Sequence, residues 1–318
     1  MLNCTLLDDY QNVALTLANW SRLHPHVQTR SLQQHIADDD ALIAELTDSD
    51  IVVVMRERTP LTAARLARLP RLKLIITSGM RNASIDLAAC RARGIAVCGT
   101  DSSSAPPLEL TWGLLLALAR HIVPENQALR GNGPWQQHLG IGLEGKTLGL
   151  IGLGKIGGGM AKVAQAFGMQ VCAWSQNLTA QRAAECGALQ MPSLQTLLAA
   201  SDIVSVHLVL SERTRHLLDA AALAQLKPGA LLVNTSRAGL VDQKAMIDAL
   251  RSGQLAGAAL DVFETEPLPA DHALRQLPNV LATPHLGYVA DNNYHRYFTQ
   301  AVEDIAAWLR HQPLRSLL

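Results

Sequence analysis

The chain carries no surplus of either charge. Its 27 Lys and Arg residues stand against 27 Asp and Glu, so it lacks the basic face of a nucleic-acid binder, and a small ligand met through local charges is expected instead. Long apolar runs are missing too. The longest, such as GLLLALA from Gly113, fall far short of the roughly 20 residues that a bilayer span needs. The opening stretch MLNCTLLDDY has no basic region followed by an apolar one, so no export signal or membrane association is expected. Cysteine is sparse: Cys4, Cys90, Cys98, Cys172 and Cys186 are odd in number and form no C-x-x-C pair. That argues against disulfides and against a zinc or other metal site, and favours reduced thiols in a cytoplasmic protein. No internal repeat or low-complexity tract occurs.

What is present is apolar material for two cores. At 318 residues, 48% hydrophobic and 17% charged, the chain exceeds the size at which single cores stop growing, and two domains are expected. Short apolar runs alternate with longer helical patterns, which predicts parallel strands joined by crossover helices, the α/β class. In the first third CTLLDD, DIVVVMRE, LKLIITSG and GIAVCGT read as strands, with helical stretches such as TAARLARL between them. The proline-bearing loop SSSAPP at 102–107 then precedes LELTWGLLLALARHIV, read as one helix entering a second domain. Beyond it TLGLIGLG, QVCAWS, DIVSVHLV, ALLVNTS, AGAALDV and NVLATPH supply six strands for a doubly wound sheet. A final helical pattern, YHRYFTQAVEDIAAWLRHQ, has no strand after it.

Within TLGLIGLGKIGGGMAKVAQAFG, Gly152, Gly154 and Gly157 have G-x-G-x-x-G spacing between a strand and a helix. In that setting Gly152 permits the tight turn, Gly154 lets backbone approach a pyrophosphate, and Gly157 lets the helix pack on the strand. The amides near Lys155 and Ile156 then meet the anion. A dinucleotide is the expected cofactor.

Ligands of open α/β sheets sit beyond the carboxyl ends of the strands. Three later strands end there in charge: LLVNTSRAG runs into Arg237, AALDVFETEP carries Asp261 and then Glu266, and NVLATPHLG runs into His285. Arginine can hold a substrate carboxylate through a bidentate pair, and histidine can pass a proton near neutrality. A glutamate beside that histidine favours the imidazolium, ready to protonate a carbonyl oxygen as hydride arrives from a nicotinamide. Singly each has a duller explanation: a loop-closing arginine, a solvated glutamate, a structural histidine. Together, beside a dinucleotide turn, they fit reduction of a 2-oxo acid or the reverse. His207, at the end of DIVSVHLV, reads as cofactor lining.

With these residues on the page, the chain resembles the D-isomer-specific 2-hydroxyacid dehydrogenases. LEGKTLGLIGLGKIG, SDIVSVH, LKPGALLVNTSRAGLVD, GAALDVFETEPLP and LPNVLATPHLG all look like the family's signatures, in its order. The resemblance is to the glyoxylate and hydroxypyruvate reductases and to phosphoglycerate dehydrogenase-like members without a regulatory domain, since no extension follows residue 318. It implies Arg237 as the substrate-orienting residue, Glu266 as partner of the acid/base, and His285 as the acid/base itself. It also implies that Asp261 holds the nicotinamide end, while Thr235 and the backbone of His207 and Leu208 line the cofactor cleft. The implied fold is two doubly wound parallel-sheet domains. A Rossmann-type cofactor domain, 104–285, is inserted into a smaller flavodoxin-like substrate domain, 1–103 with 286–318, which the last helix closes. TSGMRNASID looks like the family's substrate-carboxylate loop, so Gly79, Met80 and Arg81 are implied substrate contacts. Arg81 either narrows the substrate range or is a surface arginine; Arg56 and Arg58 either meet a substrate acid group or are solvated. A homodimer is implied, with the LELTWGLLLALARHIV region at its interface. The proline usual after the histidine of SVHLV is absent, and Tyr288 stands where a small residue is frequent, so pocket shape is left open, with Trp135 and Tyr288 as candidate lining. The competing reading is a dinucleotide-sensing, corepressor-like binding protein on the same fold.

One acidic residue is missing where a ribose is usually held. Ser175 stands 175 − 157 = 18 residues past the last fingerprint glycine, followed by Gln176 and Asn177, against the roughly 20 expected for the ribose-binding acid. An Asp there repels a 2′-phosphate and an Arg just after it attracts one. This chain does neither, so NAD or NADP is expected with NADPH tolerated or preferred, Arg182 being a distant helper.

Overall fold

The computed structural model describes residues 1–312 and 314–318. The chain divides into two compact units, Met1–Ser103 with Ala290–Leu318, and Ser104–Val289.

In the first unit the strands β1 (Leu2–Leu6), β2 (Val27–Ser31), β3 (Ile51–Val54), β4 (Leu74–Thr77) and β5 (Ala96–Gly99) form one parallel sheet in the order β2-β1-β3-β4-β5. This is the flavodoxin-like order. IVVV and LIIT are buried at every position, as expected of central parallel strands covered on both faces. β2 was not expected. Its sequence VQTRS buries only Val27, because an edge strand needs one apolar anchor rather than an apolar run. Helices Asp39–Leu46, Ala63–Ala67 and Leu87–Ala92 are each capped by the side chain before them, Asp38, Thr62 and Asp86, which satisfies one amide of each first turn.

The last helix, Asp291–Trp308, belongs to this unit and buries Tyr294, Tyr297, Phe298, Val302 and Ile305. Residues after it cover the exposed edge of β5. Gly99 N donates to Arg315 O at 3.0 Å and Leu317 N to Val97 O at 2.9 Å. Arg315 is tied in turn to the fully buried Asp304, Nη2 to Oδ1 2.9 Å, and to Glu303 at 3.0 Å.

In the second unit β6 (Thr147–Ile151), β7 (Gln170–Trp174), β8 (Leu189–Gln190), β9 (Ile203–Val206), β10 (Ala230–Asn234), β11 (Leu255–Leu260) and β12 (Val280–Ala282) form a seven-stranded parallel sheet. Its order is β12-β11-β10-β9-β6-β7-β8, the doubly wound order with one strand added at the far edge. Successive side chains feed opposite faces. On β10, Leu231 and Val233 join one core with Leu115, Leu148 and Met160, whereas Ala230 and Leu232 join the other with Leu197, Val204 and Leu250. β8, two exposed residues long, was not expected.

The segment read as a single helix is two. Ala105–Ala119 begins earlier than expected, with Pro106 in its first turn, and Ile122–Arg130 follows after His121, whose φ is +51°. Pro124 explains the break: it has no N–H for the carbonyl four residues back, and its ring clashes with that carbonyl in a continuous helix. The prolines assigned to the loop before the helix thus lie inside it, where the missing N–H costs nothing.

Burial pushes Asp304 up to about 6, opposed by Arg315. A raised carboxylate binds its proton more tightly in the folded chain, so this group's contribution to stability is present at low pH and is lost as pH rises through about 6. Arg315→Ala removes the cation that opposes this rise, so the carboxyl should ionise only at a pH further above 6, and then without a partner. It should lower unfolding stability by about 2 to 4 kcal/mol at pH 8 and by clearly less at pH 5, read from urea titrations at both values.

Candidate functional site

The strand order of the second sheet reverses between β6 and β9, the point at which open sheets of this kind bind ligands. β6 runs into Gly152, whose φ is +100° and whose missing Cβ would lie 2.5 Å from His207 O. A Cβ on Gly157 would lie 2.1 Å from Gly152 O. Both glycines are therefore demanded by the packing of the turn on itself. Gly154 is different: a Cβ there meets nothing within 4 Å. It begins the helix Lys155–Ala166, which has no side-chain cap and no acidic residue in its first turn. Backbone amides at Lys155 and Ile156 with open space over Gly154 fit a pyrophosphate, which a helix N-terminus attracts.

At the end of β7, Ser175 is followed by the exposed Gln176 and Asn177. Arg213, on the loop after β9, donates from Nη1 to Gln176 Oε1 at 3.1 Å. Sequence reading missed Arg213, since nothing in the sequence pairs positions 37 residues apart. Arg182 pairs with Glu185 at 3.4 Å, and its Nη2 would be 3.3 Å from a Cβ on Gly158.

His207 follows β9. Its backbone N donates to Ile151 O at 2.8 Å, and its Nε2 shares a 2.8 Å hydrogen bond with Ser205 Oγ. Nδ1 is buried without a hydrogen-bond partner among the described residues, and burial holds the ring down to about 4. A ring neutral throughout the physiological range is a poor proton donor. The side chain of Leu208 lies against Gly152, its Cδ2 3.0 Å from the Cβ that glycine lacks. Thr235 Oγ1 lies 2.7 Å from Thr111 Oγ1, which bonds back to Pro107 O at 2.6 Å.

Arg237, Asp261 and His285 follow the ends of three neighbouring strands, β10, β11 and β12. Arg237 Nη1 donates to Ser236 O at 2.8 Å, and its own carbonyl accepts from Asn234 Nδ2 at 3.0 Å. Asp261 is fully buried. Its Oδ1 accepts from Thr283 Oγ1 at 2.6 Å and Leu286 N at 2.7 Å, and its Oδ2 from Gly287 N at 2.8 Å. Burial pushes this carboxyl upward, and the three donors with the nearby His285 oppose the rise. His285, at φ +54°, places Nδ1 2.6 Å from Glu266 Oε2, and Glu266 Oε1 accepts from Phe263 N at 2.9 Å. Tyr288 is buried, its ring edge-on to that of His285 at an interplanar angle of 70°, centroids 5.5 Å apart. Trp135, by contrast, is 78% exposed. The structure thus brings His285 and Glu266 into contact and sets Asp261 beneath the turn that carries the histidine.

In the first unit the turn after β4 is tightly determined. Gly79 has φ +92°, its N donates to Thr100 Oγ1 at 3.0 Å, and the Arg56 guanidinium lies where its Cβ would be. Asn82 pins the turn by donating to Arg56 O at 2.6 Å and Thr77 Oγ1 at 2.9 Å. Met80 and Arg81 are exposed. Arg58 lies 4.9 Å from the centre of the Tyr10 ring, a cation over an aromatic face. Among the described residues no group of three or more His, Cys, Asp and Glu side chains is arranged to hold a metal ion, and no helix is long and apolar enough to cross a membrane.

Residues 112–287 match the model of the family described as D-isomer specific 2-hydroxyacid dehydrogenase, NAD binding domain. D-3-phosphoglycerate dehydrogenase of Methanocaldococcus jannaschii is 37% identical over 274 residues, 85% of this chain and 52% of that one, so the chain spans about half the length of that relative. (S)-sulfolactate dehydrogenase of Chromohalobacter salexigens is 38% identical over 273 residues, covering 85% of this chain and 88% of its own. The crystal structure of phosphoglycerate oxidoreductase from Vibrio cholerae O395 superposes with a TM-score of 0.92 at 38% identity, covering 98% of this chain and all of that one.

The glycines of the turn should separate by stability. Gly152→Ala meets a positive φ and a backbone carbonyl, and should cost about 3 kcal/mol. Gly154→Ala should stay within about 1 kcal/mol of the parent, both read from urea midpoints.

Proposed function

The chain belongs to the D-isomer-specific 2-hydroxyacid dehydrogenase family, and from that premise we propose that it interconverts a small 2-oxo acid and its D-2-hydroxy acid with NAD(P)H. The observation that carries this reading is the 2.6 Å contact between His285 Nδ1 and Glu266 Oε2, at the strand-end edge that also bears Arg237 and the glycine turn. Gly152, Gly154, Gly157 and the amides of Lys155 and Ile156 would hold the pyrophosphate, Ser175 and Gln176 the adenosine ribose, and Thr235, His207 and Leu208 the middle of the cleft. Asp261, fully buried, would serve the nicotinamide end from beneath, by fixing the turn after β12 through Leu286 N and Gly287 N. Bound NAD(P)H supplies the hydride.

The protein's own residues handle charge and the proton. Arg237 takes the substrate carboxylate in a bidentate pair, which fixes the carbonyl relative to the histidine. Glu266, anchored on Phe263 N, accepts a hydrogen bond from the Nδ1–H of His285, fixes the ring's orientation and stabilises it when charged; Nε2 gives its proton to the carbonyl oxygen. In the oxidative direction the same nitrogen takes the hydroxyl proton back. Gly79, Met80 and Arg81 are assigned to the substrate. A second acidic group on the substrate suits Arg56 and Arg58, and relatives named for phosphoglycerate and sulfolactate act on acids of that kind.

We also assign a homodimer in the cytoplasm. Supporting the dimer, the helix Ile122–Arg130 buries no residue, and Leu129, Trp135 and Leu139 are exposed by 61%, 78% and 95%, an apolar surface that a monomer does not cover. Supporting a reducing compartment, all five cysteines are buried and free.

Oxidation of NADH or NADPH by a panel of 2-oxo acids, from glyoxylate, pyruvate and hydroxypyruvate to acids with a distal phosphate or sulfonate, tests the reaction class. No turnover with any would overturn it. His285→Ala should lower kcat by about a hundredfold or more, while Arg237→Ala should raise KM as well as lower kcat. Light scattering should give the mass of two chains, and Trp135→Ser with Leu139→Ser should shift it toward one.

A further inference from the structure

The end of β7 has no carboxylate to hold a ribose hydroxyl, yet a cation stands beside it. Arg213 reaches Gln176 Oε1 from a different part of the chain, Nη1 to oxygen 3.1 Å. The loop that carries it is internally tied: Thr214 Oγ1 donates to Val209 O at 2.8 Å, Ser211 N donates to Thr214 Oγ1 at 2.8 Å, and Thr214 N to Ser211 O at 3.0 Å. Resting on the cofactor reading above, we propose that Arg213 is the residue that recognises the 2′-phosphate of NADP(H), with Gln176 as its positioning residue.

Three observations carry this. Gln176 is neutral, so it orients the guanidinium without cancelling its charge, as an Asp or Glu there would. Among the described residues no carboxylate pairs with Arg213, whereas Arg182, the cation marked in the sequence, is engaged by Glu185 at 3.4 Å. The planar fork of an arginine keeps further donors for a phosphate after one bond to Gln176, and phosphate is the anion it fits best. Glu212 is the acidic neighbour on the same loop and is exposed; Ser175, Gln176 and Asn177 add no charge from the facing strand end. The arginine absent immediately after β7 is thus delivered by the loop after β9.

Calorimetric titration with NADP⁺ and with NAD⁺, in the absence of substrate, tests the assignment without any turnover. Wild-type protein should bind NADP⁺ more tightly than NAD⁺. Arg213→Ala should weaken NADP⁺ by about tenfold and leave NAD⁺ within about twofold, and the wild-type preference should shrink as salt is raised. Gln176→Ala should weaken NADP⁺ by less than Arg213→Ala does. An unchanged NADP⁺ affinity in Arg213→Ala, or equal weakening of both nucleotides, would overturn the role of Arg213 while leaving the dehydrogenase reading in place. Failure of wild-type protein to bind either nucleotide would overturn both.

Discussion

A single buried carboxylate sets the geometry of the site edge. Asp261 has no exposed surface, and such a group is tolerated only where donors replace the water it has lost. It finds three, from Thr283, Leu286 and Gly287, all on the turn that follows β12. The turn is thereby wrapped around the end of β11, closely enough that a Cβ on Gly287 would lie 3.2 Å from Asp261 Oδ2. His285 sits inside this wrap with its backbone at φ +54°, a conformation disfavoured for a residue with a Cβ. The strain is held by the anchor, and its product is an imidazole set against Glu266 rather than swinging on a loose loop.

The glycine turn obeys a similar logic at the sheet's switch point. Gly152 touches the His207 carbonyl and Gly157 touches Gly152, so two of the three fingerprint glycines are required before any ligand arrives. The open space over Gly154 is the part that folding does not demand. Preorganised amides and a preset histidine, both on the carboxyl edge of a rigid parallel sheet, fit a site that holds a cofactor and passes a proton with little rearrangement.

Much of this was legible in the sequence, because central parallel strands must be apolar on both faces and IVVV or ALLVN admits few other readings. The residues at strand ends were legible for the same reason: once the strands are placed, Arg237, Asp261 and His285 must emerge at one edge. The edge strands β2 and β8 were not, since VQTRS and LQ bury little and carry no apolar period. The helix break at His121 was readable in principle from Pro124, but the apolar pattern runs through it. Contacts between distant positions were beyond reach: the Thr111–Thr235 bond and the meeting of Arg213 with Gln176 depend on loop paths that no local pattern encodes. The role of Asp261 under the His285 turn belongs to the same class.

The proposed passage of a proton through His285 is tested most directly by chemical rescue. With His285→Ala, added imidazole should restore reduction of the best 2-oxo acid in a saturable manner, and should do so far less well when Glu266 is also replaced by Gln. Undiminished turnover in His285→Ala without imidazole would contradict the assignment of that histidine as the proton donor.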